Sequence, residues 1–421
     1  MNRHFRTEHV DLTRRYFIGL GTVGACAFSF LPNLYAAEQP IAGKSKALDK
    51  AISKLDYLTH QLDFSDVSRG NPVPHSLNPQ QQKEAGLTRE TWQLEVLADP
   101  DNKADITNPM TKENGNAFDF KTLSQLAKKR TVSFPKIMTC NNIGAPLGMG
   151  IWEGVPLRDV IWLTAPKKNL RRVFYHGFHN NDPKQMFRSS LPIGRVLEDP
   201  FGLPPVILCF KLNGQPLHPE RGGPVRMLVP EAYGFKSVKW LTHIYLSNLA
   251  HANDTYAKAN NDVDSWLKTF ASTISIGKGV KAGQPIPVTG YCQVGISGLS
   301  KVQYWIQPKG KPWPANDPYF LKAPWKDAQV LGPPTTWGGE LPDDKIPSHT
   351  VGFDPKTRKP KKWPMRLAKA HWAALVPGLP EGEYVFRCRS IDANSIAQPL
   401  PRPFRKSGRN ALGGWPFVIN G

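Results

Sequence analysis

Apolar and polar positions fall into two regimes along this chain. In Trp92-Gln93-Leu94-Glu95-Val96 they alternate with the period of two that a half-buried strand requires. The run FKTLSQLAKK that begins at Phe120 reads as a short helix, and the segment leading to TVSFPKIMTC reads as strand, ending at Cys140. Further upstream, KALDKAISKLDYL sets Leu48, Ile52, Leu55 and Leu58 near one helical face, a packing arm. From about residue 271 the regime changes. ISIGKGVKAGQPIPVTGYCQVGISGLSKVQYWIQP alternates between Gly and Pro turns as a β-sandwich does, and the stretch after Ala370 adds two more strands. Between them a Pro-, Trp- and Lys-rich insertion, 310–363, predicts long loops lying over the sandwich. The expected fold class is therefore α+β, with a mixed domain at 45–270 and a sandwich at 271–421.

Residues 1–36 predict an export signal outside the fold. Arg14 and Arg15 form a twin-arginine pair, an apolar stretch runs from Tyr16 to Leu31, and small residues follow at Ala36-Ala37. The competing reading is a membrane anchor; the run is glycine-rich, short for a span and ends in Leu-Pro-Asn. Val23-Gly24-Ala25-Cys26 leaves a lipid-anchored form through Cys26 as the alternative to a cleaved, periplasmic protein. No other apolar stretch is long enough to predict a transmembrane span.

Charge narrows the partners. There are 54 Lys and Arg against 34 Asp and Glu, a formal net charge of +20. That balance attracts anionic substrates or an acidic partner. The basic residues are scattered and not interleaved with stacking aromatics, so no nucleic-acid partner is expected. Past the signal only Cys140, Cys209, Cys292 and Cys388 remain, the last three inside strand-like apolar runs that predict packing. This spacing makes no disulfide framework, no Cys-x-x-Cys zinc site and no haem attachment motif.

Two stretches carry chemistry. In 134–162, FPKIMTCNNIGAPLGMGIWEGVPLRDVIW, Cys140 ends a strand and is followed by Asn and Gly, residues that turn tightly and expose what they flank. In 206–247, Leu-Asn-Gly-x-Pro-Leu is followed by Gly-Gly-Pro-Val-Arg and by Gly-Phe-Lys-Ser-Val-Lys-Trp-Leu. Arg forks, Lys ammoniums and main-chain N–H groups in a Gly-rich turn are the donors that satisfy a buried phosphate. Together these motifs resemble the sulfite oxidase family.

The resemblance implies a molybdenum–molybdopterin cofactor with Cys140 as the thiolate on the metal, a soft ligand suited to a redox-active centre. It implies cofactor contacts at Arg226, Ser237 and Lys239, at Arg221 in place of a family histidine, and at Asn71, which falls near another. Arg69, in Arg-Gly-Asn-Pro-Val-Pro, and Arg409, in the tail RKSGRNALGGW, match substrate arginines, and Tyr256 matches an active-site tyrosine. The implied activity is oxidation of sulfite or a related sulfur oxyanion, with electrons passed to an external acceptor such as a separate cytochrome. The C-terminal domain would be immunoglobulin-like and form a homodimer. One departure matters: animal-type members continue Cys-Ala-Gly-Asn-Arg-Arg, whereas this chain reads Cys-Asn-Asn-Ile-Gly and lacks one anion-pocket arginine. Reduction of an S-oxide or N-oxide, or a metal-free binding protein on the same fold, therefore stay open as alternatives.

Overall fold

The computed structural model describes residues 45–421 apart from Gly144, 399–403 and 409–410. The twin arginines, Cys26 and Arg409 lie outside the described residues. Among those described, no helix is long and apolar enough to cross a membrane.

Two sheets build the part that carries the chemistry. In the first, β1 (Gln93–Ala98) runs parallel to β10 (Leu241–Ser247), which pairs antiparallel with β5 (Arg172–Gly177); β2 (Phe118–Asp119) and β6 (Ser189–Pro192) close the edges. The predicted alternation in β1 holds: Trp92, Leu94 and Val96 are buried and Gln93 is exposed. The helix α1 (Phe120–Arg130) is capped by the Asp119 carboxylate, which accepts from the Thr122 N–H at 2.7 Å. The second sheet is a hairpin of β3 (Val132–Thr139) and β4 (Pro146–Pro156), extended by β7 (Ile207–Leu212) and β8 (Gln215–Pro216), with β9 (Arg226–Leu228) paired to β7. Both faces of β3 and β4 are covered, so that even Ser133, Lys136, Thr139 and Glu153 are buried.

The C-terminal part is a seven-stranded path, β11 (Phe270–Ile276), β12 (Ile286–Gln293), β15 (Lys369–Val376), β14 (Lys326–Val330), β13 (Lys301–Pro308), β16 (Gly382–Ile391) and β17 (Trp415–Ile419). Strand β14 pairs β13 through Lys326–Ala328 and β15 through Gln329 and Val330, so it carries the chain from one layer to the other. The layers enclose one core, where Trp372 of β15 stacks with Phe386 of β16 at 6.2 Å. Cys292 and Cys388 are buried in it and Cys209 in the neighbouring sheet, all three with thiols pushed up by burial.

Two expectations need correction. The packing arm is helical only over Lys46–Ile52; by Leu58 the backbone has left the helix to donate to the Trp337 carbonyl at 2.9 Å, a long-range bond that overrides local propensity. The insertion does not lie wholly over the sandwich. Trp337, Phe353 and Trp363 pack with Tyr57 and with Ile137, Met149 and Ile151 of the β3–β4 hairpin, because the aromatic side chains find their largest apolar contact there.

Candidate active site

Cys140 leaves the end of β3 between two anchored neighbours. The Thr139 hydroxyl donates to Gln293 Oε1 at 2.5 Å, and the Asn141 amide donates to Ser265 Oγ at 2.9 Å; both side chains are buried. A register shift between Met138 and Thr139 re-aims the strand end, as bulges do beside functional sites. The thiol between these anchors is half-buried and lines a cavity of about 320 Å3.

Arg221, Arg226, Ser237 and Lys239 line the same cavity. Arg226 Nη1 donates to the Arg221 carbonyl at 2.7 Å, its Nη2 donates to the Ser237 carbonyl, and its guanidinium lies over the Trp152 ring at 5.4 Å. Arg221 donates to the Phe64 carbonyl at 2.9 Å and to Glu220 Oε2 at 2.7 Å. Each guanidinium keeps a buried Nε–H with no partner. The Lys239 ammonium donates to Asp66 Oδ1 at 2.9 Å, Ser68 Oγ at 2.6 Å and the Glu220 carbonyl at 2.5 Å. Burial, then the charge of Arg226, push Lys239 down to about 8 against the pull of Asp66. Burial raises the Asp66 carboxyl, but the Ser68 and Lys239 hydrogen bonds and the Lys239 charge outweigh it and hold Asp66 at about 2.

Close backbone approach makes this cluster possible. Gly222 has φ +99, and a Cβ there would meet the Lys239 Cβ at 2.7 Å. At the end of β5, a Cβ on Gly177 would sit 2.0 Å from the Lys239 carbonyl oxygen. Only glycine lets these two segments flank the lysine.

A second group surrounds Cys140. Tyr256 is buried, stacks flat on Phe235 at 3.8 Å and meets Phe187 edge-on at 5.9 Å. Burial, then the neighbouring Cys140 charge, push its phenol up, while a hydrogen bond with Asn141 and the Arg69 charge oppose them. Arg69 is exposed and lies over Phe187 at 4.5 Å. Thus Cys140, Tyr256, Arg69, Arg221, Arg226, Ser237 and Lys239 are brought to one cavity. Asn71 is exposed and outside its lining, with its N–H donating to Gln185 Oε1 at 2.9 Å.

The sequence alone did not single out Phe187, Phe235 or Ser68. Phe235 stands inside the Gly-Phe-Lys-Ser motif and could have been found there; Phe187 has no such flag. His179 also lines the cavity, half-buried with an unpartnered, buried Nδ1. Its ring lies 5.2 Å from that of His176.

Among the described residues no group of three or more His, Cys, Asp or Glu could hold a metal ion. A metal at Cys140 would thus bring most of its ligands with it. The unpartnered, buried guanidinium N–H groups fit an anionic group carried by such a cofactor, because buried cations with unmade hydrogen bonds are costly until an anion meets them.

Residues 84–255 match the family described as oxidoreductase molybdopterin binding domain. Among curated proteins, the NADH nitrate reductase of Ulva prolifera is 31% identical over 150 residues, covering 30% of this chain and 17% of that protein. The mitochondrial sulfite oxidase of Drosophila melanogaster is 28% identical over 144 residues, covering 34% and 24% respectively. The match therefore spans less than a quarter of the length of these relatives. The sulfane dehydrogenase SoxCD from Paracoccus pantotrophus shares the fold at a TM-score of 0.54 and 16% identity, covering 92% of this chain and 93% of that one.

Proposed function

We propose, for this member of the sulfite oxidase family of molybdopterin-binding oxidoreductases, that the reaction is oxidation of sulfite or a related sulfur oxyanion, with electrons passed to an external acceptor such as a separate cytochrome. The cofactor is molybdenum–molybdopterin. When bound it supplies the two-electron redox change and the oxygen-atom transfer. The observation that carries the reading is the meeting, in one cavity, of the Cys140 thiol with a buried cation cluster whose Nε–H groups lack partners.

The chain's own residues divide the work. Cys140 gives a thiolate to the metal, held in direction by Thr139 and Asn141. Arg221, Arg226 and Lys239 hold the pterin phosphate, with Ser237 fixing the turn by accepting from the Val229 N–H at 3.1 Å. Tyr256, protonated because its phenol is pushed up, donates toward the reacting oxygen. Arg69 draws the anion in and balances charge that develops as the sulfur–oxygen bond forms. Arg409 is assigned the second substrate contact from its sequence context, and Asn71 an outer contact to the cofactor.

The wider assignments rest on the sequence. The twin arginines support export to the periplasm, the C-terminal layers support a sandwich, which the resemblance makes immunoglobulin-like and a surface for pairing two copies, and the formal charge of +20 supports an acidic electron acceptor. The name of the sulfane dehydrogenase relative supports sulfur oxidation, whereas the nitrate reductase relatives favour oxyanion reduction as the opposing direction. The test is turnover of holoprotein with sulfite and an oxidised dye, beside reduction of nitrate and dimethyl sulfoxide with a reduced dye. Sulfite-dependent dye reduction is expected. Turnover only in the reducing direction would overturn the sulfur-oxidation reading.

A further inference from the structure

The cations around the cavity are not equally free. Arg221, Arg226 and Lys239 already donate to carbonyls, a hydroxyl or carboxylates and sit together, so an incoming cofactor phosphate claims what donor capacity remains. Of the described residues near Cys140 and Tyr256, Arg69 is the cavity-lining cation with no acidic or carbonyl partner; its contact is the face of Phe187. A sulfite dianion demands several converging donors. Beside Arg69 the lining is mixed: Ser68, Asn142, His179 and Gln185 give it polar groups, and a block of apolar surface faces them.

Phe187, Phe235 and the ring of Tyr256 form a contiguous aromatic wall, joined by the stack and edge contact described above. Two further lining residues, Val67 and Ile143, each leave 38% of their surface exposed. Ile143 lies three residues beyond Cys140 and Val67 two before Arg69, so the apolar surface belongs to the same loops as the thiol and the guanidinium. Exposed apolar side chains beside one cation among the described residues, inside a concave site, suit a ligand with one charge and an apolar body.

We propose that the substrate is an organic sulfinate, a monoanion R–SO2⁻ whose R group is aromatic or branched, held with its charge on Arg69 and its R group on the Phe187 wall. This deepens the sulfur-oxidation reading and rests on it for the chemical step. The step balances as R–SO2⁻ + H2O → R–SO3⁻ + 2 H⁺ + 2 e⁻. The sulfur lone pair forms the new sulfur–oxygen bond, the sulfur is oxidised by two electrons, and two equivalents of a one-electron acceptor take them. Guanidinium stacked on an aromatic ring is held in plane and keeps its donor edge for the ligand.

The test separates binding from turnover. Holoprotein is titrated calorimetrically with benzenesulfonate, a redox-inert product, and with sulfate; benzenesulfinate and sulfite are then compared as substrates with ferricyanide as acceptor. Benzenesulfonate is expected to bind at least about tenfold more tightly than sulfate. Val67→Ser, which touches neither Arg69 nor Tyr256 through any ring contact, is expected to weaken benzenesulfonate by about three- to tenfold with a smaller effect on sulfate, and Phe187→Ala, which also removes the ring under Arg69, to weaken both anions but benzenesulfonate by about three- to tenfold more. Sulfate binding as tightly as benzenesulfonate, or both variants leaving the ratio untouched, overturns the proposal. Preferred binding of benzenesulfonate without oxidation of either substrate sustains the recognition and overturns the sulfur-oxidation reading beneath it.

Discussion

Lys239 shows how a single residue couples the cation cluster to pH. Its ammonium sits between Asp66 and two arginines, and burial holds it near 8, well below an ordinary lysine. An anion favours the charged form, so binding the cofactor takes up a proton whenever free Lys239 is neutral. Affinity for the pterin phosphate should be flat below pH 8 and fall as pH rises through it, by up to about tenfold per unit. Cofactor retention after dialysis at pH 7 and pH 9 measures this, and Lys239→Met should remove the dependence. Arg226 and Lys239 were visible in the sequence because the Gly-Gly-Pro-Val-Arg and Lys-Ser-Val-Lys-Trp-Leu runs are contiguous. Asp66 and Ser68 were not, since they reach Lys239 from 173 and 171 positions away.

Among elements, the turn at Gly222 decides where that lysine sits. With φ +99 and no room for a Cβ beside Lys239, Gly222→Ala should destabilise the protein by more than about 1 kcal/mol and also lower cofactor content. Chemical denaturation and cofactor content on the same samples check both; a loss of stability with full cofactor would show that the turn does not position the lysine. The strand into Cys140 was legible from its apolar run and the Asn-Asn-Ile-Gly sequence after it. So was β1, from strict alternation. The ends of the helical arm and the course of 310–363 were not, because long-range pairs decide them: Leu58 with Trp337, and Trp363 with the Leu331 carbonyl at 2.8 Å. Local pattern carries no record of which distant surface a tryptophan will cover.

For the whole molecule, two buried histidines contribute to the loss of stability in mild acid. His176 is buried on β5, its ring stacked on that of His243 of β10 at 4.6 Å, and His371 lies in the C-terminal layers; burial pushes each down to about 4 despite backbone hydrogen bonds that pull the other way. Between that value and the ordinary 6.5 the unfolded chain binds more protons than the folded one. Stability should therefore fall as pH drops through about 6.5, and the share of the loss that these two histidines carry should be complete near 4. Thermal unfolding across that window tests it, with His371→Gln expected to flatten the slope in part; an unchanged midpoint from pH 7 to 4 would count against buried neutral histidines.

The central claim is that Cys140 holds the molybdenum of a pterin cofactor, and molybdenum K-edge X-ray absorption on the purified holoprotein tests it most directly. Wild type should contain about one molybdenum per chain, and Cys140→Ser should show one sulfur scatterer fewer at the metal, with turnover lost. An identical sulfur count in wild type and variant, or the absence of molybdenum from protein made in a cofactor-competent host, would contradict the account.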